Sequence, residues 1–112
     1  MIPFPKFILK RSGDQFMFNL HAVNGEVVLT SERYTTEAGA RRGIASVKRN
    51  AGKLENYEFK PHGRHFRLEA DNGEPIGTAE VYVSGNNAQD GRDAVMRAAA
   101  TAEIDDQTDS GD

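Results

Sequence analysis

Two imidazoles stand three residues apart in His62-Gly63-Arg64-His65, a spacing that would suit metal chelation on a helix. The glycine between them marks a turn instead, and no third ligand adjoins, so both are expected to be solvated loop histidines. The third histidine, His21, falls on the polar side of a strand. Acid–base chemistry needs carboxylates that converge in a pocket with separated pKa values. Glu26 and Glu74 recur only because the Asn-Gly turn before each recurs, and they read as solvent-facing hairpin charges. Ser31 and Ser46 lack the strand–turn–helix setting of an exposed nucleophile. Gly39, Gly43 and Gly52 do not have phosphate-loop spacing, and no Gly-Lys-Ser/Thr appears. The chain is therefore expected not to be an enzyme, with no catalytic residue, metal or cofactor assigned.

Cations give the more suggestive pattern. Arg41, Arg42, Lys48 and Arg49, with Lys53 just beyond, lie within one helical stretch. Arg41 and Lys48 are seven residues apart, as are Arg42 and Arg49, so each pair returns to the same side after two turns. Such a face could meet phosphates or an acidic protein surface, and these five residues are the candidate partner contacts. No aromatic pair interleaves with them, so stacking on single-stranded nucleic acid is not indicated. Solvated surface charge is the alternative. Charge is also segregated along the chain: residues 1–68 carry 12 Lys and Arg against 6 acids, and residues 69–112 carry 2 against 11. The acidic half would repel a polyanion and could attract the basic half of another copy, so a monomer with weak head-to-tail association is expected.

The elements that position these residues come in two copies. A shift of about 48 positions aligns Phe18-Asn19-Leu20-His21-Ala22-Val23-Asn24-Gly25-Glu26 with Phe66-Arg67-Leu68-Glu69-Ala70-Asp71-Asn72-Gly73-Glu74. Thr30, Glu32 and Tyr34 fall on Thr78, Glu80 and Tyr82; Gly43, Val47 and Arg49 fall on Gly91, Val95 and Arg97. Each copy reads as strand, turn, alternating strand, Asn-Gly turn of type I′, strand, helix. Phe16, Phe18, Leu20 and Ala22 alternate to one side, and Pro75 marks a strand start or an edge. Thr35 or Thr36 caps the first helix, whose apolar face is Ala40, Gly43, Ile44, Val47 and Ala51. The second helix starts near Asn86 or Asn87 and is richer in alanine. Glycine inside a helix costs about 1 kcal/mol against alanine. Its presence at both Gly43 and Gly91 points to a close contact with the sheet or the other helix.

Asn24-Gly25-Glu26, Ser31-Glu32-Arg33-Tyr34 and Gly43-Ile44-Ala45-Ser46-Val47-Lys48-Arg49-Asn50-Ala51 together resemble the YegP-like family of small bacterial proteins of unknown function. The resemblance spans residues 6–103 and is weaker in the second copy, from Gly91-Arg92-Asp93 onward. It implies β-β-β-α-β units in one sheet with exchanged C-terminal strands and helices packed on it. It carries no activity to transfer.

The expected architecture is α+β: two β-β-β-α repeats (6–53 and 56–103) about a pseudo-two-fold axis, with one mainly antiparallel sheet and two helices on one face. Residues 1–103 form one compact domain, and 104–112 an acidic disordered tail. No run approaches the roughly 18 apolar residues of a membrane span, and no secretion signal opens the chain, so no membrane contact is expected. The absence of cysteine excludes disulfides and thiol chemistry and fits the cytoplasm. The leading functional expectation is a non-catalytic interaction module for a protein or nucleic acid. The alternative is a small enzyme or ligand binder with its site between the two repeats, in a cleft between the helices.

Overall fold

The structure, a computed structural model, describes residues 2–59, 65–80 and 88–109. Three strands, β1 (Lys6–Ser12), β2 (Gln15–His21) and β3 (Val27–Ser31), precede helix α1 (Glu37–Asn50). A short 3-10 turn at Leu54–Asn56 leads into β4 (Tyr57–Phe59), β5 (His65–Glu69), β6 (Pro75–Glu80), helix α2 (Ala88–Thr101) and β7 (Glu103–Asp106). All seven strands form one sheet in the order β4-β5-β6-β3-β2-β1-β7. Every pairing is antiparallel except β1 with β7. The two repeats meet at the middle, where β3 pairs with β6 through Thr30↔Thr78 and Ser31↔Gly77.

Alternation decides which side chains face the helices. Phe7 lies opposite Leu20 and Leu9 opposite Phe18, and all four are fully buried. They join Leu29, Phe66 and Leu68 from the sheet with Ala40, Ile44, Val47, Val95, Ala98 and Ala99 from the helices in one core. The two helices lie over that shared face, so neither repeat owns a core of its own.

Both Asn-Gly sites make hairpins, but each turn is one residue longer than the two-residue type I′ form. In Val23-Asn24-Gly25, the Ala22 N–H donates to the Glu26 carbonyl and the Gly25 N–H to the Ala22 carbonyl, each at 2.8 Å. Gly25 sits at φ +88° and the Asn24 side chain accepts from the Glu26 N–H at 3.0 Å. The second copy repeats the arrangement around Asn72 and Gly73. A glycine after the asparagine supplies the left-handed residue that closes a three-residue loop with a bulge. That bulge appears as the register shifts at Leu20/His21 and Leu68/Glu69.

The acidic C-terminal segment is not frayed over the described residues. Glu103–Asp106 adds to the sheet beside β1, and Gln107 N–H donates to the Leu9 carbonyl at 2.8 Å. Lys6 Nζ meets Asp105 Oδ2 at 2.8 Å, and Thr108 is buried, its hydroxyl donating to Asp106 Oδ1 at 2.7 Å. A sequence of acids looks unstructured until the basic strand that receives it is known. Pro75 opens β6, an interior strand, which resolves its reading as a strand start.

Candidate functional site

Thr36 caps α1, its hydroxyl accepting from the Gly39 N–H at 2.9 Å. Glu37 in the first turn and Lys48 and Arg49 in the last suit the helix dipole. Ala40, Gly43, Ile44, Val47 and Asn50 face the sheet. The outer side then presents exposed Ala38 and Ala45, bordered by Arg41 and Lys48 on one side and Arg42 and Arg49 on the other.

The five cations fall into two groups. Arg41 is bound at the end of the face, with Nε donating to Glu37 Oε2 at 3.1 Å and Nη2 to Asp106 Oδ2 at 2.6 Å. Lys53 Nζ holds Asp71 Oδ2 at 2.9 Å, at the tip of the β5–β6 turn. Arg42, Lys48 and Arg49 are exposed and form no ion pair among the described residues. Lys48 Nζ lies 5.8 Å from the centre of the Phe7 ring.

Lys53 belongs to a polar clamp that the sequence did not reveal. Asn56 Nδ2 donates to Asn50 Oδ1 at 2.9 Å and to Asp71 Oδ1 at 3.1 Å. Asn50 Nδ2 in turn donates to the Ser46 carbonyl at 2.8 Å. The hydrogen bond from Lys53 and then that from Asn56 hold the Asp71 carboxyl below its ordinary pKa. The available signal was Asn50 itself, a polar side chain on the apolar stripe of α1; a buried amide there demands partners. The clamp fastens the end of α1 to the turn of the other repeat. Its repeat counterparts are Val23 for Asp71, Ala98 for Asn50 and Thr101 for Lys53, none of which can form it.

Where those counterparts meet, the surface is open. A groove of about 630 Å3 runs between α2 and the β2–β3 turn, with Val23, Ala98 and Thr101 in its lining. The cavity thus lies between the repeats, between a helix and a hairpin rather than between the two helices. His21 Nδ1–H donates to the Gly25 carbonyl at 2.8 Å, and its ring packs 5.6 Å from Phe4. His65 is exposed at the start of β5, while His62 lies outside the described residues. Among the described residues no three His, Asp or Glu side chains come close enough to hold a metal ion. No helix there is long and apolar enough to cross a membrane.

The duplication is also visible in comparison with known proteins. The family described as a domain of unknown function, DUF1508, matches residues 12–58 and again residues 63–106. The chain belongs to this family. The chain is 60% identical over 52 residues to a UPF0339 protein of Bordetella pertussis, covering 46% of this chain and 47% of the relative. It is 55% identical over 51 residues to the UPF0339 protein YegP of Shigella flexneri, covering 46% of each. The chain thus spans about half the length of the curated relatives it matches. The likeness extends further in structure. The solution structure of the E. coli protein of unknown function YegP superposes with a TM-score of 0.85 at 36% identity, covering 99% of each chain. That of a UPF0339 protein from Shewanella oneidensis gives 0.81 at 38% identity, covering 92% of this chain and 91% of that one. The YegP-like resemblance and the tandem α+β fold it implied are borne out; the function of the DUF1508 family is unknown.

Proposed function

We propose that the protein is a non-catalytic interaction module that binds an acidic protein surface through the outer face of α1, with Arg42, Lys48 and Arg49 as the contacts. The observation behind this reading is the division among the cations. Arg41 and Lys53 are engaged internally by Asp106 and Asp71, whereas Arg42, Lys48 and Arg49 border an exposed alanine strip that presents no bulk to a partner. Nothing in the fold calls for them: the second copy keeps Arg97 for Arg49 but has Asp90 for Arg42 and Met96 for Lys48. The bordering acids Glu37, Asp71 and Asp106 favour a compact acidic patch over a long phosphate backbone, which would have to pass them.

The test replaces Arg42, Lys48 and Arg49 together with Gln. Circular dichroism should be unchanged, because all three are exposed. Wild type should be retained on immobilised poly-glutamate at low salt and released as salt rises, and the variant should pass through. Retention on duplex DNA but not poly-glutamate would transfer the face to nucleic acid. No salt-sensitive retention on either would leave the stripe as solvated charge and end the proposal.

A further inference from the structure

We infer that the groove between α2 and the β2–β3 turn is a binding site for a peptide segment in which a lysine or arginine adjoins an apolar residue. Repeat symmetry carries the inference. At the equivalent place in the other half, the chain supplies its own occupant: Lys53 reaches from the end of α1 to Asp71 at 2.9 Å, while Asn50 and Asn56 fill the space beneath. In the open groove the positions equivalent to Lys53, Asp71 and Asn50 are Thr101, Val23 and Ala98, so the bridge cannot form.

What remains matches the missing piece in charge and polarity. Glu26, Asp90 and Asp93 line the groove against Arg97 and against Arg92, which holds Asp93 Oδ1 at 3.1 Å. Three carboxylates against two guanidinium groups leave a net negative wall for an incoming cation, as Asp71 offers Lys53 on the other side. The floor and mouth are apolar. Val23 is 76% exposed at the turn tip, Pro5 lines the opening, and the neighbouring Phe4 is 40% exposed. Covering these gives an apolar neighbour of the cation something to bury. The volume, about 630 Å3, lies in the range of small-ligand and short-peptide sites. This surface is separate from the α1 face, so either assignment can fail without the other.

The experiment is an amide-shift NMR titration of the full chain with acetyl-Leu-Lys-Val-amide, and with acetyl-Leu-Glu-Val-amide as its acidic twin. The lysine peptide should produce saturable shifts centred on Val23, Ala94, Ala98 and Thr101, and the glutamate peptide should not. The double variant Val23→Asp with Thr101→Lys rebuilds the clamp in the open groove. It should melt no lower than wild type and lose the lysine-peptide shifts. Glu26→Gln with Asp90→Asn changes only exposed side chains and should weaken binding several-fold while leaving the shifts in the same place. The assignment is overturned by equal binding of both peptides, by shifts elsewhere or none, or by undiminished affinity in the charge variant.

Discussion

A Cβ placed on Gly43 would overlap the Tyr34 hydroxyl and stand 2.7 Å from Tyr34 Cζ and 3.1 Å from Phe18 Cε2. Tyr34 has little freedom to withdraw. Its backbone exchanges two hydrogen bonds with Phe16, each at 2.8 Å, and its ring stacks on Phe18 at 6.3 Å. Burial, with Glu32 nearby, raises the pKa of its hydroxyl. The mid-helix glycine is thus a packing residue, as its recurrence in both copies indicated, and of the two neighbours expected it is the sheet, through Phe18 of β2 with Tyr34 beside it, and not the other helix. Among the described residues, Gly91 has Phe66 Cε2 at 3.1 Å as its nearest neighbour, and Tyr82, the counterpart of Tyr34, lies outside them. Gly43→Ala should therefore lose more to overpacking than the roughly 1 kcal/mol it gains in helix propensity, a net destabilisation of about 1 kcal/mol. Urea midpoints at constant m check this, and a Gly43→Ala variant as stable as wild type would remove Tyr34 as the cause.

At the scale of elements, β7 shows how a strand can be specified from outside itself. Glu103-Ile104-Asp105-Asp106 has one aliphatic residue and three acids, a poor strand by propensity. Its place comes from the free edge of β1 and from cations that edge presents. Asp105 is held below its ordinary pKa chiefly by the hydrogen bond from Lys6. Asp106 is held down by the Thr108 N–H, then by the Thr108 hydroxyl and by Arg41. Carboxyls depressed in the folded state contribute stability above the unfolded pKa of about 3.9 and lose it as pH falls through the folded values. Acidification below about pH 4 should therefore loosen β7 before the central strands. Hydrogen exchange would show the Gln107 amide losing protection ahead of Leu20. Asp105→Asn with Asp106→Asn should flatten that early phase, and simultaneous loss across the whole sheet would contradict the account.

In the whole molecule, the two repeats share one sheet and one core, and they are expected to fold as a unit. Residue Gly77 shows how closely they are fitted. A side chain there would meet the Thr30 carbonyl at 2.8 Å and Leu29 Cγ at 3.0 Å. Leu29 is the repeat counterpart of Gly77, so leucine at both positions would not fit, and the halves had to differ at their junction. The segregated charge is also partly settled internally, with the acidic β7 lying on the basic β1 and reaching Arg41. Residues 1–53 alone would expose both edges of a three-stranded sheet and lack the α2 half of the core. That fragment should be unfolded, or should dimerise to replace the missing half, by circular dichroism and sedimentation. A folded monomer would show that each repeat is self-sufficient.

Local periodicity and the chain's likeness to itself are legible without any fold in hand. Alternating Phe16, Phe18 and Leu20, the two Asn-Gly turns, the Thr36 cap and the 48-position repeat made the strands, hairpins, first helix and duplication legible. These features are written in adjacent residues and need no distant partner. Tertiary structure decided everything that required one. Asp105 and Asp106 became a strand because β1 offered backbone groups and Lys6, which lies 99 residues from Asp105. Arg41 and Lys53 left the free basic face because Asp106 and Asp71 came within reach. One repeat junction was clamped and the other left open by the difference between Asn50, Lys53 and Asp71 and their counterparts. Lys53 and Asp71 read locally as ordinary surface, and Asn50, though a polar residue on an apolar stripe, does not name its partners. Only the crossing of one repeat's helix over the other repeat's hairpin brings the three together, and that crossing is a property of the folded pair.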